Sequence, residues 1–413
     1  MKVLKIKMAV GVCVRNHGLL SVFFLPALLY QATGSPWGKM GTMSSIPHVF
    51  IAMSGGVDSA LAAARLMQEG YRVTGIHMET WKDPKWQSTA RQLPNPAALA
   101  KEVADELGIP FVSLDVRELF FEKVVQDFIQ KYLHGQTPNP CLFCNPQVKW
   151  GVLQSYALEH GGDYFATGHY ARLERMESGE VRLTRGADRT KDQSYVLCML
   201  TQSQLKKSLL PLGDLTKDEV RTEARRMGLP VADRQDSQDL CFLGDVDYRD
   251  FLQRFAPEAA QKGEIVTLDG EVVGEHHGLP FYTIGQRKGI RVAAEDPYYV
   301  VGKDVEQNRL IIGCADQAGQ HTLIAAQPNW IAGDQPAYGE TFLTMIRYRA
   351  KSVPARLASV TADEFRLEFK RAVRGITPGQ VVALYKESVC LGGGVIVAAG
   401  GSASPQILEG VRE

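Results

Sequence analysis

His48-Val49-Phe50-Ile51-Ala52-Met53, then Ser54-Gly55-Gly56-Val57-Asp58-Ser59, then Ala60-Leu61-Ala62-Ala63-Ala64-Arg65-Leu66-Met67 is the stretch on which the reading of this chain turns. An apolar run, a glycine turn and an alanine-rich segment make a strand, a tight turn and a helix. Two glycines let the backbone come close to a bound anion. The turn also presents N–H groups and hydroxyls at a helix N-terminus, where the partial positive charge favours phosphate. The Gly-Lys-Ser/Thr ending of a Walker loop is missing, so transfer of a γ-phosphate to protein or water is not the first expectation. A serine-glycine turn that only caps a helix is the plain alternative.

With 413 residues the chain is too long for one ordinary core, and two or three domains are expected. An apolar content of 45% and a charged content of 22% are those of a soluble globular protein. The formal net charge is zero, so a nucleic acid would be met by local patches rather than by an overall basic field. Seven unevenly spaced cysteines do not look like a secreted disulfide framework; reduced, reactive or metal-binding thiols in a cytosolic compartment are expected. Residues 1–45 stand apart. No Asp or Glu occurs from Met1 to Val57, while Lys2, Lys5, Lys7, Arg15 and Lys39 are positive. The apolar stretch from Leu19 to Tyr30, interrupted by Pro26, is too short to span a membrane. A signal or transit peptide fits the charge pattern. A translation start at Met40 or Met43 is favoured instead, because everything chemically useful begins after Ser45. The segment is therefore set aside as a disordered extension or a mis-called start. A cytoplasmic location follows, or a mitochondrial one if the segment is a transit peptide.

From Pro47 to about Asp247 strands and helices alternate. Tyr71 to Met78 reads as a second strand, Phe111 to Val116 as a third and Asp163 to His169 as a fourth. Pro96 to Leu107 reads as an amphipathic helix with Pro at its start and Gly108 after it, and Phe120 to Leu133 as a longer helix stopped near Gly135. Repeated βα units predict a parallel sheet covered on both faces, with ligands at the carboxyl ends of the strands. Gly55, Met78 and Gly168-His169 all fall at such ends, which predicts one shared site. Beyond residue 248 short β-rich runs take over, such as Glu264 to Leu268, Tyr298 to Val301 and Thr341 to Tyr348, with the turn signal Asp269-Gly270. The predicted organisation is an α/β parallel-sheet catalytic domain over 46–248, a small β-rich central domain over 249–318 and a C-terminal β-barrel over 319–413.

Thr137-Pro138-Asn139-Pro140-Cys141-Leu142-Phe143-Cys144-Asn145 sets two thiols on what reads as a loop stiffened by prolines. No second CxxC or Cys-His pair completes a zinc site, and the proline-rich surroundings do not match a thioredoxin-type pair at a helix N-terminus. Asp236-Ser237-Gln238-Asp239-Leu240-Cys241-Phe242 places a further cysteine in a polar segment, whereas Cys13, Cys198, Cys314 and Cys390 read as inert buried thiols.

The glycine turn resembles the PP-loop of the ATP pyrophosphatases. Together with Thr137 to Asn145, it begins an ordered set of motifs: Ala166-Thr167-Gly168-His169-Tyr170, Lys191-Asp192-Gln193-Ser194-Tyr195, Cys241-Phe242, Gly285-Gln286-Arg287-Lys288-Gly289, Arg347-Tyr348-Arg349, Thr377-Pro378-Gly379-Gln380 and Cys390-Leu391-Gly392-Gly393-Gly394. In that set the chain resembles the tRNA-specific 2-thiouridylases, which sulfurate uridine 34 in tRNAs for Lys, Glu and Gln. The resemblance implies that Ala52, Met53, Ser54, Gly55, Gly56, Val57, Asp58, Ser59, Met78 and Gly168 hold ATP, and that Asp58 helps to place Mg2+. It also implies adenylation of the uracil O2, so that AMP replaces an oxide as the leaving group. Sulfur would arrive as a persulfide on Cys241, loaded from a cysteine desulfurase relay. Cys144 would release that sulfur or close a Cys144–Cys241 disulfide, which a reductant then opens. Asn139, Pro140 and Cys141 would border the target base, pulled from its stack. His169, Lys191, Asp192, Gln193, Arg347, Tyr348 and Gln380 would meet tRNA.

Position 141 departs from the pattern, being Asp in some members of that family. Three cysteines, Cys141, Cys144 and Cys241, leave a second route open, in which they hold a [4Fe–4S] cluster that carries the extra sulfur. The persulfide route stands first. Read on spacing alone, Arg347 and Arg349 are two charges on a solvated strand face, and His169 is a hydrogen-bonded histidine at a strand end. Two other classes compete: a PP-loop ligase adenylating a small molecule, which leaves Cys144, Cys241 and the β-rich half unused, and a non-catalytic tRNA- or Fe–S-binding protein, which leaves the PP-loop unused. A monomer without membrane contact is expected.

Overall fold

The computed structural model describes residues 46–85, 95–235, 240–244 and 246–400. The expectations for residues 1–45, Cys13 among them, and for Asp236 to Asp239 lie outside these. The N-terminal half supplies β1 (His48–Ala52), β2 (Arg72–Glu79), β3 (Phe111–Asp115), β4 (Tyr164–Ala166), the hairpin β5 (Ala171–Arg175) and β6 (Val181–Arg185), and β7 (Ser208–Leu209). Five of these form a parallel sheet in the order β3-β2-β1-β4-β7. Alternate residues of β1 feed opposite faces: Val49 and Ile51 join one core with Val73 and Ala166, and Phe50 joins another with Ile76, Leu114 and Phe165. Both faces are covered, as a parallel sheet requires.

The helix Val57–Gln68 lies on the first of these faces, burying Ala60, Leu61, Ala62, Ala63, Ala64 and Leu66. Its alanines bring it close to the sheet, while Leu61 and Leu66 each contribute about 2 kcal/mol by burial. The helix Pro96–Glu106 packs beside it through Ala100, Val103 and Ala104; Asn95 caps its first turn, and Pro96 needs no hydrogen-bond partner there. The helix expected from Phe120 begins at Arg117 and passes through a π-helical stretch, Phe121–Val125, before Gln126–Leu133. Gly135, at φ 74°, ends it: Gln136 N–H reaches Lys131 O and Gly135 N–H reaches Tyr132 O.

The central sheet comprises β8 (Gly263–Thr267), β9 (Val272–His276), β10 (Tyr299–Asp304) and β11 (Arg309–Gly313), in the order β10-β11-β8-β9. Asp269-Gly270 turns the β8–β9 hairpin, with Gly270 at φ 85°. The C-terminal strands β12 (Gly319–Trp330), β13 (Thr341–Met345), β14 (Val353–Val360), β15 (Glu364–Arg374), β16 (Val381–Lys386) and β17 (Val389–Ala399) form an antiparallel barrel closed by β12 against β17. The architecture is thus the expected one. One join was not foreseen: the β5–β6 hairpin extends the barrel sheet, with Cys390 opposite Leu183 and Val389 opposite Thr184. Two strands are shorter than expected. β4 stops at Ala166, and β13 stops at Met345, where Ala350 N–H closes a turn on Arg347 O with Arg349 at φ 59°. Arg347 therefore stands on a turn and not on a strand face. Among the described residues no helix is long and apolar enough to cross a membrane.

Candidate active site

The glycine turn carries β1 into the helix Val57–Gln68. Met53 N–H donates to Ile76 O at 2.8 Å, and His77 Nδ1 lies 2.7 Å from Met53 O, which fixes the start of the turn. Burial holds the His77 ring below its ordinary pKa, so it is neutral and donates here. Ser59 closes the turn on itself. Its hydroxyl donates to Gly56 O at 3.0 Å and accepts from Ser54 N–H at 3.2 Å. No side chain caps the helix at Gly56, so its first N–H groups face outward without a side-chain acceptor.

Two glycines are dictated by contact. Gly55 has φ 75°, and a Cβ there would lie 2.8 Å from Pro96 O. A Cβ on Gly168 would lie 2.9 Å from the carbonyl carbon of Asp58, so the end of β4 rests directly on the helix N-terminus. Three further residues converge on the turn. Lys217, buried at the start of the helix Lys217–Arg226, donates to Asp58 Oδ1 at 2.7 Å; the Tyr170 hydroxyl donates to the same oxygen at 2.6 Å; and Arg234 donates to Gly55 O at 2.8 Å. Two cations, outward N–H groups and a backbone stripped of side chains fit a polyphosphate. Neither Lys217 nor Arg234 was singled out from sequence. The available signal was the Thr216-to-Glu219 capping box, which puts Lys217 at a helix start. Of the other residues expected here, Ala52 ends β1, Val57 is buried in the first helical turn, and Met78 lies near the end of β2, half-buried.

The cysteine segment is helical rather than a loop. Pro140 caps a single turn, Cys141–Cys144, because its missing N–H costs nothing at that position. A π-helical stretch, Asn145–Leu153, continues it. The segment is held at both ends: Asn145 Nδ2 donates to Val196 O at 2.8 Å, Thr137 N–H donates to Pro378 O at 2.9 Å, and Gln380 Nε2 donates to Thr137 O at 2.7 Å. Gln380 thus pins the segment from the barrel. Cys241 and Phe242 are tied in by Asp83 N–H, which donates to Phe242 O at 2.9 Å; the Asp83 carboxylate is buried against Arg254 at 2.5 Å.

Cys141, Cys144 and Cys241 are all free thiols, each within electrostatic reach of another, as is Lys149 of each. Cys144 is buried. Cys141 and Cys241 are exposed. Burial pushes Cys144 up to about 12 and Cys241 up to about 11, and raises Cys141. The ring of His169 lies 5.7 Å from Trp150, and its Nδ1 lies 2.7 Å from Thr167 Oγ1. Burial first, then the charge of Lys149, hold it well below its ordinary pKa, so it is a neutral ring suited to a base and not a cation for phosphate. Gly168 at the glycine turn and His169, on which the same Lys149 acts as on the thiols, are neighbours in sequence, which links the two halves. Among the described residues no group of three His, Cys, Asp or Glu could hold a metal ion. Asp58, one of whose oxygens is doubly engaged, could offer a magnesium ion a single carboxylate.

The remaining expected residues divide. Asp192 is buried and spent on its own turn, accepting from Gly186 N–H at 3.0 Å and Ser194 N–H at 3.1 Å; Gln193 Oε1 accepts from Tyr170 N–H at 2.9 Å. Lys191 is half-buried beside them. Arg347 is exposed, with a guanidinium nitrogen 3.2 Å from where a Cβ on Gly375 would sit, and the Tyr348 ring lies 6.3 Å from Tyr195. Asn139 O accepts from Leu142 N–H and Pro140 O from Cys144 N–H, so both shape the cysteine turn.

Three family models match in succession: the tRNA methyl transferase HUP domain over residues 47–245, the tRNA methyl transferase PRC-barrel domain over 249–314 and the aminomethyltransferase beta-barrel domain over 320–396. A tRNA-specific 2-thiouridylase MnmA of Carboxydothermus hydrogenoformans is 44% identical over 354 residues, covering 84% of this chain and 97% of the relative. The protein of the same name from Moorella thermoacetica is 45% identical over 352 residues, covering 84% and 98%. That from Natranaerobius thermophilus is 41% identical over 360 residues, covering 85% and 98%.

Proposed function

The chain belongs to the tRNA-specific 2-thiouridylase family, and on that premise we propose that it is the enzyme that replaces O2 of uridine 34 in tRNA with sulfur, using ATP and a cysteine-borne persulfide. The observation that supports this most is the junction at Gly168-His169. The glycine turn touches Gly168, and the next residue, His169, feels the charge of Lys149 as all three thiols do, a link that has no use in a plain ligase.

The outward N–H groups after Gly56, with Lys217 and Arg234, would hold the phosphates of ATP, which activates O2 and carries it away as AMP. The close rest of Gly168 on Asp58 keeps side chains out of the nucleotide's path. Neutral His169 and the cysteine turn would border the flipped base. Cys241 would present the terminal sulfur of a persulfide to C2. Attack of the Cys144 thiolate on the Cys241 sulfur then breaks the S–S bond to the transferred sulfur, leaves thiouridine and forms a Cys144–Cys241 disulfide; an external thiol donor reduces it. Cys141 serves as a small neutral group beside the base. The barrel turn Arg347-Tyr348 and Lys191 would lie along the tRNA, and a tRNA for Glu, Lys or Gln is the expected substrate.

Anaerobic turnover of unmodified tRNA-Glu transcript with Mg-ATP and a persulfide donor, scored for 2-thiouridine by nucleoside mass spectrometry, tests the proposal. Thiouridine is expected from the wild type and from Cys141→Ser without iron, and not from Cys144→Ser or Cys241→Ser. Absence of thiouridine from the wild type would sink it, and dependence on iron and on all three cysteines would move the sulfur step to a cluster.

A further inference from the structure

The motif Gly285-Gln286-Arg287-Lys288-Gly289 of the central domain has no part in the chemistry of ATP or of sulfur. Its backbone is fixed to β10: Gly285 N–H donates to Val300 O at 2.8 Å, and Val300 N–H donates to Gln286 O at 2.9 Å. The Gln286 side chain spans the turn, accepting from Thr283 N–H at 3.0 Å and donating to Lys288 O at 2.8 Å. Gln286 is thus spent on holding the turn, and Arg287 and Lys288 stand exposed at its tip.

The turn rests on the barrel. Gly285 has φ 85°, and a Cβ there would lie 2.9 Å from Gly375 Cα; a Cβ on Gly375 would in turn lie 3.2 Å from an Arg347 guanidinium nitrogen. Two glycines therefore let the central turn and the Arg347 side chain meet at one point of the barrel. Next to that point Arg374 is exposed, its guanidinium 5.4 Å from the centre of the Tyr299 ring on β10. Residues 375–380, which join β15 to β16, carry the contact onward. Thr377 Oγ1 donates to Gly375 O at 3.0 Å, while Pro378 O and Gln380 hold Thr137 at the head of the cysteine segment.

The charges on this ridge are uncompensated. Elsewhere in the same two domains exposed cations are paired: Lys262 with Glu275, Arg309 with Glu264, Arg356 with Glu368 and Lys386 with Glu340. Among the described residues no ion pair joins a carboxylate to Arg287, Lys288, Arg347 or Arg374, and Glu295 and Asp296, later in the same connection, reach none of them. In a chain of zero net charge, unpaired cations gathered at one domain junction make a local field for an anion. Exposed tips spread over a turn and a barrel edge suit an extended polyanion rather than a small one, which needs enclosure.

We propose that Arg287 and Lys288, continued across the Gly285–Gly375 contact by Arg347 and Arg374, form a ridge that binds the sugar–phosphate backbone of tRNA away from the target base. The ridge sets the register of the tRNA on the chain and reads no sequence. The inference rests on the reading of tRNA as the substrate and extends it to residues that have no other task.

The test is equilibrium binding of a tRNA-Glu transcript to the full chain from ~50 to ~300 mM salt. The double variant Arg287→Gln, Lys288→Gln should make the slope of log affinity against log salt shallower by about 1.5 and weaken binding roughly 10–100-fold at ~50 mM salt. Arg287→Lys with Lys288→Arg should keep the wild-type slope, because it keeps both charges. Lys262→Gln, whose ammonium is already paired, should leave the slope as it is. A tRNA-Phe transcript should lose the same factor as tRNA-Glu in the double variant. An unchanged slope in the double variant overturns the proposal, and so does a loss confined to tRNA-Glu, which would mean that bases are read. If the double variant does not melt like the wild type, the wild type decides: bound tRNA must protect Lys288 from an amine-reactive ester while Lys262 is labelled as before, and equal labelling of Lys288 with and without tRNA overturns the proposal. A wild type that binds no tRNA overturns the proposed function as well. A wild type that binds tRNA and makes thiouridine, with a salt slope that the double variant matches, overturns the ridge alone.

Discussion

Lys303→Met should stabilise the protein, and by an amount that depends on pH. Lys303 lies on β10 against the helix end at Gly135, where a Cβ would meet its Cδ at 3.7 Å. Its Nζ is buried and has no hydrogen-bond partner, and burial lowers its pKa from 10.5 to about 7. A lysine so displaced is penalised in the folded state relative to the unfolded chain, where it keeps its ordinary value. About 3.5 pH units at ~1.4 kcal/mol each gives a penalty of roughly 5 kcal/mol, and relaxation of the surroundings brings a realistic gain to about 2–3 kcal/mol. Between pH 7 and 10.5 the unfolded chain holds a proton that the folded chain has shed, so stability rises with pH across this window. Below 7 both states hold the proton, and the penalty is complete. Methionine has a similar reach and no charge, so its advantage should be largest near pH 6 and shrink toward pH 10. Urea unfolding of both proteins at pH 6, 8 and 10 measures this directly. An equal gain at all three values would mean that packing and not charge is relieved, and a loss of stability at pH 6 would mean that the ammonium has a partner after all. Either result refutes the reasoning.

Gly168→Ala places a methyl group 2.9 Å from the Asp58 carbonyl carbon, which overpacks the turn by about 1–3 kcal/mol; the KM for ATP in a pyrophosphate-release assay should rise at least tenfold. Lys217→Met removes a cation 2.7 Å from Asp58, and pyrophosphate release should fall by roughly 10–100-fold while the melting temperature moves little. Asp83→Ala strips the Arg254 guanidinium of its carboxylate; because Arg254 keeps some contact with water, the cost should be about 1–3 kcal/mol in chemical unfolding. Gln380→Ala frees Thr137 O from its 2.7 Å hydrogen bond, which should cost about 1 kcal/mol in stability and lower thiouridine yield more than it lowers ATP turnover.

The nucleotide half of the site was legible because its cause is local. Ser54 to Ser59 must be a turn between strand and helix, and the glycines state where the backbone is approached. The closeness of Gly168 to Asp58 could be named only as a coincidence of strand ends. The sulfur half was legible as a set of residues but not as a shape. Two prolines before Cys141 read as a rigid loop, whereas Pro140 starts a helix, and the following π-turns leave no trace in hydrophobic periodicity. The strand ends at Ala166 and Met345 were overrun because Thr167-Gly168-His169 and Ile346-Arg347-Tyr348 still read as extended sequence. Asp192 looks like a ligand in the sequence, which does not show that its carboxylate is taken by Gly186 N–H and Ser194 N–H.

The junction of the barrel with the sheet domain is part of how the site is built. Ser194 and Tyr195, next to Lys191, reach into the barrel: the Tyr195 hydroxyl donates to Val381 O at 2.8 Å, and Ser194 Oγ lies 3.1 Å from the Tyr385 hydroxyl. Asn329 Nδ2 returns to Cys198 O at 2.9 Å, while β6 adds itself to the edge of β17. On the other side, Gln380 and Pro378 hold the segment that leads to Cys141. The helix that ends before that segment is stopped at Gly135, where Lys303 and Val305 of the central sheet leave no room for a side chain. The cysteine turn is therefore positioned by all three regions, whereas the nucleotide turn is positioned by the sheet domain alone. A tRNA lying on the barrel and central domain would press on residues that also fix Cys141 and Cys144. Substrate binding would then bear on the thiols and leave the ATP turn undisturbed, which separates activation of the base from delivery of sulfur within one chain.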